Sequence, residues 1–235
     1  MSDIFDCRDD AQLLPGMRQA RQAIGRGALV VIPTDTVYGV AADTFSAAAV
    51  QRLLDAKGRT RESPPPVLVA GTAMVRALVA DLPEPVERLI EKFWPGGLTI
   101  VLPAQPSLTW DLGETRGTVA VRMPDHRIAL ELIEETGPLA VSSANLTGEA
   151  AAVDVLSAHQ MLGDRIDVYL DSGPVATGVP STILDATGLA RREPGTARIL
   201  RIGAVSADEI HEVIGDLLED PAAPVETDAD DAGSA

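Results

Sequence analysis

Apolar residues recur along this chain in two rhythms. Leu13, Met17, Ala20 and Ile24 step by four, three and four positions, the stripe of a helix with one buried face, and they stop at Gly25-Arg26-Gly27. That glycine pair precedes a strand instead of following one, so it reads as a cap and turn and not as a dinucleotide-binding loop. Leu29-Val30-Val31-Ile32 is short, continuous and β-branched, the mark of a buried strand. Pro33 then removes a donor where sheet pairing should stop. The spacing predicts a second helix from near Ser46 to Gly58, with Val50, Leu53 and Leu54 on one face. Gly58 should end it, because glycine costs about 1 kcal/mol inside a helix and suits the C-terminal cap. Further along, Val67-Leu68-Val69 reads as a strand, Val86, Leu89, Ile90 and Phe93 as a helix face, and residues 98–102 and 118–123 as strands. Asp125 is placed to cap a helix carrying Ile128, Leu132 and Ile133. Residues 138–141 form another apolar run, and a further helix is expected after Gly148. Ser206-Ala207-Asp208-Glu209 is a capping box before Ile210, Val213, Ile214 and Leu217. Helices and strands alternate without a repeat, which predicts an α/β layered domain.

Several of these apolar runs open into hydrogen-bonding residues, and in α/β sheets small-molecule sites form at the carboxyl ends of strands. Pro33-Thr34-Asp35-Thr36-Val37-Tyr38-Gly39 follows the first strand, and Ser142-Ser143-Ala144-Asn145 repeats the same shape later. Taken alone, each segment also fits a turn whose side chains satisfy their own backbone. Lys57-Gly58-Arg59-Thr60-Arg61 places cations in a glycine-containing loop, on a chain with only two lysines. Such a loop suits phosphate, although basic residues after a helix equally complement its dipole. Trp94-Pro95-Gly96-Gly97-Leu98-Thr99, Thr118 to Arg122, and Pro180-Ser181-Thr182 each couple a strand-like run to polar or charged residues. Thr118 and Arg122 lie four apart on one strand and so face the same side.

Composition narrows the classes. The chain has 235 residues, 46% hydrophobic, enough for one sizeable core, with aromatics at only 3%, so Val, Ile, Leu and Ala must fill it. A formal net charge of −16 argues against a surface that binds nucleic acid broadly. Residues 219–235 hold six acids and no bases and read as an acidic disordered tail behind a catalytic domain of residues 1–218. The lone Cys7 permits no internal disulfide and fits a reducing compartment. Neither a membrane-spanning run nor a signal-peptide pattern is present, and a cytoplasmic location is expected. The Walker A loop and the G-x-S-x-G elbow are missing, and His126, His159 and His211 lack metal-ligand spacing. Asn145-Leu146-Thr147 matches a glycosylation acceptor only incidentally.

In this order and spacing the motifs resemble the threonylcarbamoyl-AMP synthase family, known as YrdC, Sua5 and TsaC, over about residues 13–206. The resemblance implies an α/β fold with a twisted mixed sheet, flanked by helices, around one deep cleft. It implies conversion of L-threonine, bicarbonate and ATP, with Mg²⁺ accompanying the nucleotide, into L-threonylcarbamoyladenylate and pyrophosphate for the t6A37 modification of tRNA. Carried over residue by residue, it assigns Thr34, Thr36, Tyr38, Arg122 and Ser181 to L-threonine. Lys57 and Arg59 become the catalytic basic pair on the ATP phosphates, with Ser63, Thr118, Ser142, Ser143, Ala144, Asn145 and Arg201 completing the nucleotide site. Neutralising Lys57 or Arg59 should then damage turnover more than folding. Asp35 is the nearest candidate in sequence for a general base. Leu68 stands where the long-branch proteins carry a His, and Glu149-Ala150-Ala151-Ala152 where relatives offer hydroxyls. The chain ends too soon after Arg201 for the long branch's extra domain, which implies the short form. A functional link to the t6A transfer machinery, with at most weak tRNA contact, follows from the same resemblance. Two other roles remain open at this stage: a structured-RNA-binding module of the same fold, and an ATP-binding paralogue without synthase activity.

Overall fold

The computed structural model describes residues 2–191, 193 and 195–219. In chain order the elements are β1 (Asp3–Asp6), α1 (Asp10–Gly25), β2 (Val30–Ile32), β3 (Gly39–Asp43), α2 (Ala47–Lys57), β4 (Val67–Leu68), α3 (Thr72–Leu78) and α4 (Glu84–Phe93). They continue with β5 (Leu98–Pro103), β6 (Thr118–Arg122), α5 (Arg127–Thr136), β7 (Leu139–Ser143), α6 (Val155–Leu162), β8 (Val168–Asp171), β9 (Thr182–Asp185), β10 (Arg198–Arg201) and α7 (Ala207–Ile214). All ten strands join one sheet in the order β1-β8-β2-β3-β7-β4-β6-β5-β9-β10. Five neighbouring pairs are antiparallel and four parallel, so the expected mixed α/β sheet is found.

Alternation along β2 sends its side chains to two different helix layers. Val30 and Ile32 pack with Ala20, Ile24, Ile128 and Leu132, from α1 and α5. Val31 packs on the other face with Leu53, Leu54, Val155 and Ala158, from α2 and α6. Leu53 and Leu54 are wholly buried, each contributing about 1.5–3 kcal/mol of transfer free energy. A third cluster joins Leu98, Ile100 and Leu102 of β5 to Val86, Leu89 and Ile90 of α4 and to Ile210 and Ile214 of α7.

Local signals place several element ends. The Ser46 hydroxyl accepts from the Ala49 N–H at the start of α2, and Gly58 closes that helix with φ of +66°, a left-handed backbone that glycine adopts without steric cost. The Ser206–Glu209 capping box forms at the start of α7. Two expectations fail. Asp125 does not cap α5; the cap position falls on His126, and the Asp125 N–H donates to Asp35 Oδ1 at 3.0 Å. No helix follows Gly148, since the Ala152 and Glu149 carbonyls are drawn into bonds with Tyr38 N and Asn145 Nδ2, and α6 begins only at Val155 after the Asp154 cap. Four strands carried no strong sequence signal: β1, β3, β8 and β10. The expected tail lies outside the described residues except for Glu219, whose N–H donates to the Ala197 carbonyl at 2.8 Å.

Candidate active site

One cavity of about 190 Å³ is lined by the turn after β2, the loop after α2, Leu68 of β4, Thr99 of β5, Arg122 of β6, the end of β7, the start of β9 and the end of β10. Of the residues singled out in sequence, Thr34, Thr36, Tyr38, Arg59, Arg122, Ser142, Ser143, Ser181 and Arg201 line it. Lys57, Ala144 and Asn145 stand behind its wall, each buried. Two carried-over residues fall elsewhere. Ser63 is exposed on the loop after α2. Thr118 shares a face with Arg122 but sits at the opposite end of β6, where its hydroxyl donates to the Thr115 carbonyl at 2.8 Å. Four residues of strand span about 13 Å, so a common face did not place both at one site.

The amino-terminal wall is built by the turn after β2. Thr34 Oγ1 donates to the Val37 carbonyl at 2.6 Å and contacts Thr36 Oγ1 at 3.1 Å, folding the segment so that both hydroxyls border the cavity. Tyr38 borders it too, but its phenol points away, donating to the Gly173 carbonyl at 2.6 Å and accepting from Ser172 N–H at 3.0 Å. Burial raises the Tyr38 phenol above its ordinary range, which keeps it a donor.

Arg122, at the end of β6, is nearly buried. Its Nε donates to the Gly96 carbonyl at 2.9 Å, one terminal nitrogen to Thr36 Oγ1 at 2.9 Å, and the other to Asp35 Oδ1 at 2.5 Å. Two further cations have no carboxylate partner among the described residues. Arg59 donates to Ser142 Oγ at 3.0 Å, and Arg201 donates to the Ser181 carbonyl at 2.6 Å. Burial pulls all three guanidiniums below their usual range, with Arg59 adding to the effect on Arg201. Guanidinium stays charged in proteins, so burial makes each of these charges costly unless acceptors or an anion meet it. Gly203 lets the segment after β10 pass close to Pro180 and Ser181, since a Cβ there would stand 2.1 Å from the Pro180 carbonyl.

Lys57 is wholly buried. Its ammonium donates to the Ser143 carbonyl, to the Asn145 carbonyl at 2.7 Å and to Asn145 Oδ1 at 3.1 Å, so its three N–H donors are all engaged. Asn145 in turn donates to the Leu146 and Glu149 carbonyls at 2.9 and 2.7 Å. The lysine therefore ties the Ser142–Ser143 wall to α2. Burial, and then the charge of Arg59, push its pKa down to about 7.

Sequence reasoning missed Thr99. It lines the cavity, is 1% exposed, and its hydroxyl meets Ser181 Oγ at 2.8 Å. The signal was available: Leu98, Ile100 and Leu102 enter the core, so the period of two turns Thr99 to the other face of β5. The general-base candidate changes role, because Asp35 does not line the cavity and its carboxylate is committed to Arg122 and to Asp125 N–H.

A mixed α/β sheet that gathers three arginines and a rim of hydroxyls at strand ends defines a binding site for small anionic molecules. The model of the Sua5/YciO/YrdC family, described as telomere recombination, matches residues 22–203, and the chain belongs to that family. A Mycobacterium leprae protein provisionally named a threonylcarbamoyl-AMP synthase is 50% identical over 215 residues, 92% of this chain and 95% of that protein. The threonylcarbamoyl-AMP synthase of Pyrococcus abyssi is 38% identical over 210 residues, 88% of this chain and 59% of that protein. The crystal structure of Pyrococcus abyssi Sua5 complexed with L-threonine superposes with a TM-score of 0.79 at 36% identity, covering 86% of this chain and 58% of that one. The chain thus spans about three fifths of the length of the Pyrococcus abyssi protein. No described helix is long and apolar enough to cross a membrane.

Proposed function

We propose that this chain is an L-threonylcarbamoyladenylate synthase, a nucleotidyltransferase that joins L-threonine, bicarbonate and ATP and releases pyrophosphate. The observation that carries the reading is the division of charge in one cavity: among the described residues Arg122 is paired with a carboxylate, while Arg59 and Arg201 meet only neutral oxygens. An unpaired cation pair suits a polyphosphate, and a neutralised, oriented guanidinium suits a single carboxylate.

The chemistry asks little covalent work of the protein. Threonine's ammonium first gives a proton to solvent; the neutral amine then attacks the carbon derived from bicarbonate, forming an N–C bond and releasing water, and a carbamate oxygen attacks the α-phosphorus as the bond to pyrophosphate breaks. Carbamates are short-lived in water, so positioning both partners in a closed site supplies much of the rate. Arg59 and Arg201 stabilise charge on the phosphoryl oxygens, and the Thr34, Thr36 and Ser181 hydroxyls orient the amino acid. Among the described residues no group of three or more His, Cys, Asp or Glu could hold a metal ion, and Asp35 is engaged by Arg122. Mg²⁺ would accompany the nucleotide, where it would neutralise phosphate charge. The product would feed t6A37 formation on tRNA, carried out by separate machinery in a cytoplasmic, reducing setting where Cys7 stays a thiol. The net charge of −16 leaves tRNA at most a weak contact.

The test is pyrophosphate release from ATP with threonine and bicarbonate supplied together, singly and not at all. Release that requires both is expected. Retention of structured RNA without turnover would favour an RNA-binding module instead, and nucleotide binding alone an inactive paralogue.

A further inference from the structure

We infer that Asp35 is a positioning residue that aims Arg122 at the amino-acid carboxylate and takes no part in proton transfer. The inference rests on the amino-acid-binding reading of the cavity and adds to it a residue that acts from outside. Thr34 and Thr36 line the cavity, whereas Asp35 between them does not. Its Oδ1 accepts from Arg122 at 2.5 Å and from the Asp125 N–H at 3.0 Å, so one oxygen fixes both the guanidinium and the segment that follows β6.

A guanidinium carries five N–H donors in one plane. Three are held by Gly96 O, Thr36 Oγ1 and Asp35 Oδ1, acceptors on separate atoms that leave the plane no freedom to rotate. Two donors remain for a ligand. The Gly96 carbonyl is itself oriented, because the Gly96 N–H donates to the Met123 carbonyl at 2.9 Å. Asp35 is the only charged member of this set, and its side chain is 19% exposed beside an Arg122 side chain that is 7% exposed. Without it, the guanidinium would keep one hydroxyl and one carbonyl and could swing out of register with a carboxylate in the cavity.

Asp35→Ala and Asp35→Asn separate the possibilities, since asparagine retains an oxygen acceptor for Arg122 and for Asp125 N–H. In the pyrophosphate-release assay, Asp35→Ala should raise KM for L-threonine about tenfold or more, the size of a lost charge-assisted hydrogen bond, with KM for ATP within about twofold of native. Asp35→Asn should recover KM for threonine to within about threefold of native, and both variants should keep the native pH profile of kcat. Native-like KM for threonine in Asp35→Ala would overturn the inference. So would a collapse of kcat in both variants with loss of the acidic limb of the profile, which is the behaviour of a general base. If Asp35→Ala does not fold, Asp35→Asn decides alone by its kcat profile: a retained kcat with the acidic limb intact is expected, and a collapsed kcat that has lost that limb would overturn the inference. Failure of the native protein to release pyrophosphate in response to threonine would instead count against the synthase reading, leaving the two failures distinguishable.

Discussion

The two cationic walls of the cavity are held in opposite ways. On the Arg122 wall a carboxylate neutralises the guanidinium and fixes its plane. On the Lys57–Arg59 wall the charges rest, among the described residues, on carbonyl, amide and hydroxyl oxygens. A paired cation has little field left to attract an anion from a distance but presents donors at a set angle, whereas unpaired cations in a low-dielectric wall attract strongly and specify less. On the proposed function, the difference lets one pocket grip a triphosphate and still discriminate a small amino acid.

The harshest way to break this comparison is Lys57→Met. Three oxygens would lose their donor in the interior, which should lower unfolding free energy in urea by about 3 kcal/mol. That outcome reverses the sequence-based expectation that neutralising Lys57 harms turnover more than folding; a fully stable variant that merely loses ATP would place the ammonium on the nucleotide instead. Next is Arg122→Lys, which keeps the charge and removes the fork. Threonine affinity by calorimetry should fall by about 2–3 kcal/mol while ATP affinity stays near native, and equal losses for both ligands would erase the distinction between the walls.

Acidity sharpens the same contrast. Lys57 is pushed down to about 7, and a bound polyphosphate favours its charged form, raising it. Above pH 7 the empty protein has released a proton that the complex retains, so ATP binding should take up protons and weaken by up to about tenfold per pH unit until the pKa of the complex is reached. Calorimetry at pH 8 in buffers of different ionisation heat reads the uptake directly, and buffer-independent heats would refute it. Smallest is Thr99→Val, a near-isosteric change that removes the partner of Ser181 Oγ. It should raise KM for threonine severalfold, about 1 kcal/mol, leaving the Arg59 side untouched.

Much of the architecture was legible because local rules agreed with the final packing. The stripe of α1, the Ser46 and Gly58 ends of α2 and the capping box of α7 use groups within a few residues of each other, so the sequence contains the whole interaction. Asp125 misled for the opposite reason: its backbone is claimed by Asp35, 90 positions away. Ser63 and Thr118 were carried over by motif position and lie apart from the cavity, where the loop after α2 and the far end of β6 leave them.

The amino-acid order by itself determined which side chains could bind anions, which strands would deliver hydroxyls at their tips, and that a layered α/β domain would form, since periodicity and turn chemistry are short-range properties. Only the tertiary structure decided that Lys57 would serve the wall from behind, that Asp35 would turn from the cavity to Arg122, and that Thr99 would stand beside Ser181. Each of those depends on partners 82 to 88 residues away, brought together by sheet order, and such neighbours cannot be read from spacing along the chain.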